Sequence, residues 1–406
     1  MYGIALEGGG TKGAYQIGAW KALRELGIEF NVVAGTSIGS LNGAFMAMDA
    51  FDEAWDLWHN IEPNMIVAGD PKLLKKMSKL SFDYTYTDFH DMVRFTTDMI
   101  TRGGLDVSPL RKLIGDMLDE QAVRQSPIRF GMVTVNLSDI KPVEVMIEDI
   151  PNGKLGDYLL ASCSLPGFQS HYIDDKLFLD GGLHDNLPLN LVASNGCKKI
   201  IAIEIKGPGR RTKFTDPSVE VIHITPSGDT GGLLEFNQKV ANRNIQMGYL
   251  DTLRVFQGLR GQTYYLENCP KESVFLDELL NLTDEQILGL GKSLGIRKMS
   301  PKRMLFEKII PTLAELLNIS SKKGYSDLFI SLYEYCAEKM GMERYEIYDT
   351  LDFFEQVEER LLQWNHIDKE DQSYFAQLLK STGLYKVARK EEMLMDILFK
   401  TIIMRK

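Results

Sequence analysis

The pentapeptide Gly35-Thr36-Ser37-Ile38-Gly39 constrains this chain more than any other stretch, because it follows the apolar run Val32-Val33-Ala34 and continues into small and apolar residues. A strand that breaks at G-x-S-x-G and leaves as a helix has the pattern of a nucleophile elbow, with the serine at the tip of a sharp turn. Gly35 and Gly39 suit that turn, since a Cβ on either flank would crowd the neighbouring backbone. Ser37 is then a candidate nucleophile, exposed, strained and aimed at a substrate carbonyl. An ordinary serine at a helix N-terminus gives the same five letters, so the motif alone leaves both readings open.

Its surroundings define a fold class. Residues 2–6 (YGIAL) read as a short apolar strand, 8–13 as a glycine loop, 14–26 as a helix stopping near Gly27, and 30–34 as the strand into the elbow. Strand–loop–helix repeated twice predicts a parallel sheet with helices on its faces. Right-handed crossovers place both glycine loops at the carboxyl edge of that sheet, where open α/β folds bind ligands. Residues 50–120 read as mostly helical, with Ser108 as an N-cap and Pro109 at the first helical position. Further strands are expected at 128–135, 143–147, 176–180, 199–205 and 219–224, a long helix at 232–257, and a last strand at 262–266. Beyond about residue 298 strand-like runs stop and apolar residues fall at helical spacing. The expectation is a three-layer α/β/α sandwich with a mainly parallel central sheet over 1–298, and an all-helical appendage over 299–406.

At 406 residues the chain has room for one large domain and an appendage. Its net charge of −10 argues against general nucleic-acid binding. No run of eighteen apolar residues occurs, so no transmembrane helix is expected. The first residues, MYGIALEGGG, lack the basic and long apolar regions of a signal peptide. Cys163, Cys197, Cys269 and Cys336 are scattered without a C-x-x-C pair, which suits reduced thiols. These features together predict a cytoplasmic protein. No EF-hand loop or His/Cys cluster calls for a metal, and no cofactor is expected.

Acyl transfer by serine needs a nucleophile, a proton acceptor and donors for the oxyanion of the tetrahedral intermediate. Gly8-Gly9-Gly10-Thr11-Lys12-Gly13, between a strand and a helix, converges several backbone N–H groups on a small volume. Lys12 adds a positive charge that either holds the loop, attracts an anionic head group or is simply solvated. The same loop satisfies G-x-G-x-x-G, a dinucleotide-binding pattern, but the second strand ends in Ala34-Gly35-Thr36 rather than in the acidic residue that a ribose requires.

The proton acceptor is less obvious. None of His59, His90, His171, His184, His223 and His366 sits in a late strand-end loop after an acid, where an α/β-hydrolase triad would place it. Asp180 instead ends an apolar strand and opens the turn Gly181-Gly182. It is either a turn former or a carboxylate that accepts the Ser37 proton directly. His171 and His184 border this region as weaker alternatives.

GGGTKG, then GTSIG, then DGG followed by Asn186-Leu187-Pro188, each behind a strand and in this order, resembles the patatin-like phospholipases. The three motifs span residues 4–194, and a looser similarity runs to about 298 through Asn244 and Gly248-Tyr249. The resemblance implies a lipid acyl hydrolase with a Ser–Asp dyad: Ser37 as nucleophile, Asp180 as base, and the N–H groups of Gly9, Gly10 and their neighbours as the oxyanion hole. It also implies a lipid substrate, phospholipid or lysophospholipid, with acyl transfer to another acceptor or general esterase activity as variants of the same chemistry. Lys12 stands where the family often has arginine.

Residues 71–80 (PKLLKKMSKL) set Lys72, Lys75, Lys76 and Lys79 against Leu73, Leu74, Met77 and Leu80 at helical spacing. Such a helix either seats the protein on an anionic membrane surface or packs by its leucines with a solvated lysine face.

Overall fold

The computed structural model describes residues 2–68, 104–297, 299–320, 323–367 and 394. The basic segment 71–80 lies outside them. The chain divides into two compact units, Met1–Phe256 and Gln257–Lys406.

Among its described residues the first unit is built on eight strands: β1 (Tyr2–Leu6), β2 (Phe30–Thr36), β3 (Arg129–Asn136), β4 (Lys141–Met146), β5 (His171–Ile173), β6 (Lys176–Asp180), β7 (Lys199–Ile203) and β8 (Glu220–Ile224). They form one sheet in the order β5-β6-β3-β2-β1-β7-β8, with β4 also paired to β3. The run β3-β2-β1-β7-β8 is parallel throughout. β4, β5 and β6 add antiparallel pairings. The central strands are buried on both faces, so they read as continuous apolar runs without alternation.

Helices cover both faces, as the three-layer expectation requires. Ala5, Val32, Ala34, Ile200 and Ala202 pack with Leu191 and Val192 of the helix Leu189–Ser194. A Cβ on Gly43 would touch Leu6, Val33 and Phe130, which places helix α2 (Ile38–Met48) on the opposite face. Helix α1 (Ala14–Glu25) crosses the helix Gln238–Gln257 at two glycines. A Cβ on Gly18 would lie 1.9 Å from the Ile245 carbonyl oxygen, and one on Gly248 2.0 Å from that of Tyr15. Helix Ser108–Met117 starts one residue ahead of the expectation: Ser108 is its first residue and Val107 its N-cap, and Asp106 Oδ1 accepts from the Ser108 N–H at 2.8 Å.

The decisive local feature is how β3 is shared. β4 occupies one edge of β3 from Gly131 to Asn136. The other edge takes β2 up to Val133, opposite Thr36, and then β6 from Thr134, opposite Asp180. β2 arrives parallel and β6 antiparallel, so their carboxyl ends meet head to head on one edge of a single strand.

The second unit has its own core, in which Tyr264, Leu266, Leu279, Ile287 and Leu290 join Met304, Leu305, Phe353 and Val357. The division therefore falls at 256/257, ahead of the expected 298. The strand expected at 262–266 does not extend the central sheet; it forms β9 (Tyr265–Glu267), which pairs in parallel with β10 (Ile347–Asp349) inside this unit. Among its described residues the regular elements of this unit are otherwise helices. No helix among the described residues is long and apolar enough to cross a membrane.

Candidate active site

Ser37 sits at the junction of β2 and α2 with φ 55° and ψ −129°, a backbone conformation that a residue with a side chain adopts only when its surroundings impose it. Those surroundings are backbone. A Cβ on Gly35 would lie 2.1 Å from the Gly39 carbonyl oxygen, and one on Gly39 2.5 Å from that of Leu6. The Ser37 N–H donates to Ser162 Oγ at 2.9 Å, and that hydroxyl donates on to the Val133 carbonyl at 2.7 Å. The Ser37 carbonyl accepts from the Ser40 N–H and the Ser40 hydroxyl. Ser37 is therefore fixed from both ends, and it is only 6% exposed, more enclosed than its motif suggested.

Asp180 closes β6 directly across this junction and is 3% exposed. Its N–H donates to the Ser164 carbonyl, and its Oδ1 accepts from the Gly182 N–H at 2.8 Å. Oδ2 is buried and has no hydrogen-bond partner among the described residues. Burial pushes the carboxyl up to about 7, opposed by the adjoining Ser37 hydroxyl and the Gly182 N–H. A buried carboxylate oxygen left open beside a strained serine is destabilising and uncommon in a folded chain. The neighbouring Cys163 thiol is pushed up by burial and by the Asp180 charge, so it stays protonated.

The glycine loop completes the arrangement. Gly10–Gly13 form a single 3-10 turn at the start of α1. Gly10 has φ 55°, and a Cβ there would lie 2.1 Å from the Leu233 carbonyl oxygen, so no other residue fits. The Thr11 N–H donates to that carbonyl and the Lys12 N–H to Gly9. Among the described residues no acceptor engages the N–H of Gly9 or of Gly10. Of the expected loop donors these two remain open, while those of Thr11 and Lys12 are engaged. Lys12 holds the loop, its Nζ donating to the Lys206 carbonyl at 2.9 Å.

Asn186 staples the loop to the region after Asp180. Its carbonyl accepts from the Gly8 N–H at 3.0 Å and its Nδ2 donates to the Gly8 carbonyl at 2.9 Å. Glu7, wholly buried at the end of β1, accepts from the Ile205 N–H and from Arg211. Burial raises its pKa, opposed by the Arg211 charge. Ser162, Asn186 and Glu7 carried no assigned role in the sequence reading. The signals were present: a glutamate closing an apolar strand, an asparagine after a glycine turn, a serine in a small-residue run.

The four histidines whose side chains are described do not join this group, and His90 and the His366 side chain lie outside the described residues. His184 pairs with Glu144 at 2.9 Å. His171 accepts from Arg111 and meets the Asp157 carbonyl. His223 pairs with Glu204, and His59 with the Trp55 carbonyl.

Residues 4–193 match the family model described as patatin-like phospholipase. Among curated proteins the chain is 28% identical over 205 residues to patatin-like phospholipase domain-containing protein 7 of Mus musculus. It is 28% identical over 215 residues to lysophospholipase NTE1 of Kluyveromyces lactis and 31% over 206 residues to neuropathy target esterase sws of Drosophila melanogaster. These matches cover 50–52% of this chain and 13% of each relative, so the chain corresponds to a small part of those proteins. Among solved structures, VipD from Legionella pneumophila aligns at 13% identity with a TM-score of 0.40, over 98% of this chain and 90% of that one. The motif order and the elbow coincide with the stretch that matches, and through residues 4–193 the chain is similar to the patatin-like phospholipase family.

Proposed function

We propose that this chain hydrolyses carboxylic esters of lipids, phospholipids or lysophospholipids, through an acyl-Ser37 intermediate with Asp180 as the proton acceptor. The observation that carries the reading is the buried Asp180 carboxyl, which adjoins the Ser37 hydroxyl and whose Oδ2 has no partner among the described residues. The Ser37 oxygen attacks the ester carbonyl while its proton passes to Oδ2. The N–H groups of Gly9 and Gly10, open among the described residues, receive the oxyanion. As the tetrahedral species collapses, Asp180 returns the proton to the leaving alcohol. Water then repeats the sequence on the acyl-serine, giving a free fatty acid. An isolated carboxylate with a pKa near 4 is a weak base toward a hydroxyl, but one raised to about 7 is matched to neutral pH. The family match and the lipid-esterase names of the relatives support the substrate class.

The direct test is a lipid-ester panel together with a fluorophosphonate, with the labelled peptide identified by mass. Label on any residue other than Ser37, or no turnover of any ester, would overturn the proposal.

A second prediction concerns the loop. A Cβ on Gly207 would lie 1.7 Å from the Gly8 carbonyl oxygen, so Gly207→Ala must displace backbone against the glycine loop. Overpacking of this kind costs about 1–3 kcal/mol of stability, and a misplaced donor lowers kcat by up to about 10²-fold. Urea melts and labelling rates measure the two effects; a Gly207→Ala protein with wild-type labelling would show that the loop position does not matter to the chemistry.

A further inference from the structure

The segment 206–213 (KGPGRRTK) holds four cations and no acid, in a chain of net charge −10. It is laced to both sides of the proposed site. The Arg210 N–H donates to the Gly182 carbonyl at 2.9 Å, and the Asn186 N–H donates to the Arg210 carbonyl at 2.6 Å. Thr212 donates to Asp185 through both its N–H and its hydroxyl. Arg210 is thus fixed at its backbone to the residue whose N–H holds Asp180, and to the residue that staples the glycine loop.

The cations in this segment are not equivalent. Arg211 is committed to Glu7 and Glu204. Lys206 donates to the Pro226 carbonyl. Arg210 is exposed, and among the described residues its guanidinium meets no acceptor and no carboxylate. An unpaired arginine, with five donors in a planar fork, matches a phosphate better than any other group a lipid ester carries. In a 1-acyl glycerophospholipid the ester carbonyl carbon and the phosphorus are six bonds apart, about 7 Å when extended, and an arginine reaches a similar distance from its Cα. Two hydrogen bonds, Arg210 N–H to Gly182 and Gly182 N–H to Asp180, link the Arg210 backbone to the carboxyl that adjoins the Ser37 hydroxyl.

We infer that Arg210 binds the phosphate of the lipid substrate and makes this site prefer phosphate-bearing acyl esters over neutral acylglycerols. The assignment rests on the ester-hydrolase reading of Ser37 and adds to it a residue that sets substrate class. Ground-state recognition by a charge-assisted contact acts mainly on KM.

The experiment uses the full chain and its Arg210→Gln and Arg210→Lys forms. Substrates are a 1-acyl lysophosphatidylcholine below its critical micelle concentration, the monoacylglycerol of the same chain length, and the lysolipid in neutral and anionic vesicles. Arg210→Gln is expected to raise KM for the monomeric lysolipid and to lower the lysolipid-to-monoacylglycerol ratio of kcat/KM by roughly 10- to 100-fold. Arg210→Lys should restore part of that ratio, since it keeps the charge without the fork. An unchanged ratio overturns the assignment, as does an equal loss on both substrates, which would mark a structural role. A loss confined to anionic vesicles would mean attraction to a surface and also overturns it. So would tight inhibition by inorganic phosphate that acts equally on both substrates, since the ligand would then be free phosphate. Absence of turnover of every ester by the wild type would instead remove the Ser37 reading on which this one stands.

Discussion

Replacing Ser37 by alanine is expected to lower kcat by about 10³- to 10⁶-fold, the range seen when a nucleophile or its partner is removed from a preorganised acyl-transfer site. Asp180→Asn should fall in the same range without unfolding the chain. Asparagine keeps an oxygen for the Gly182 N–H, which Asp180 Oδ1 accepts at 2.8 Å, and loses only the ability to take a proton. The two losses should not add, because the serine and the carboxylate act in one step, so the double variant should be no slower than either alone. Fluorophosphonate labelling separates the roles: none in Ser37→Ala, and slow labelling in Asp180→Asn, where the hydroxyl remains but its base is gone. Undiminished turnover in Asp180→Asn would sink the dyad and return attention to a water or to a group outside the described residues.

The second large effect is on stability, and it has the opposite sign. Asp180 is raised to about 7 by burial, against an ordinary carboxyl value near 4 in the unfolded chain. Between those values the folded protein holds a proton that the unfolded protein has released, so this group's contribution to stability falls as pH rises through the window and stays low above it. The wild type should therefore be penalised at the pH where it works. Asparagine carries no such penalty. Between pH 5 and pH 8 the stability of Asp180→Asn relative to wild type should rise by about 3 kcal/mol, read from urea denaturation midpoints at each pH. The same ionisation should appear in kcat/KM as a rise with a midpoint near 7. A stability gap that stays flat across this range would mean that Asp180 keeps an ordinary carboxyl pKa, and the rate profile would then lose its midpoint near neutrality. An inactive variant that is more stable is the expected signature of a group kept for chemistry at the fold's expense.

Much of this was readable from residues. The elbow, the glycine loop and the DGG turn each sit where strand-ending patterns placed them, because a buried parallel sheet leaves a strong signal: short apolar runs punctuated by glycine. β1 and β6 were bounded to the residue, and β2, β3, β7 and β8 shifted by one or two at their ends. Less legible was whatever depended on long-range pairing. β5 is three residues long and exists only through its ladder to β6. The strand expected near 262–266 has a composition that says nothing about its partner. It pairs with β10 in the second unit, which moves the division between units ahead of the expected residue 298.

The site showed the same contrast. Glycines in such turns announce themselves, since a missing side chain there points straight to backbone crowding or a positive φ. The raised carboxyl of Asp180 did not, because its cause is desolvation by groups remote in sequence. Nor did the division of labour among the loop donors, which depends on the Leu233 carbonyl taking the Thr11 N–H and on Gly9 taking that of Lys12.

The sharing of one edge of β3 by β2 and β6 carries a consequence for how such a chain tolerates change. Val133 and Thr134 are adjacent, and each fixes one partner strand, so β3 works as a ruler whose neighbouring graduations hold Thr36 and Asp180. The separation of the proposed nucleophile and base is written into one stretch of backbone and not into the long connections around it. Chain inserted or removed between α2 and β3, or between β4 and β5, leaves that measure untouched. A single residue added within β3 between Val133 and Thr134 would not.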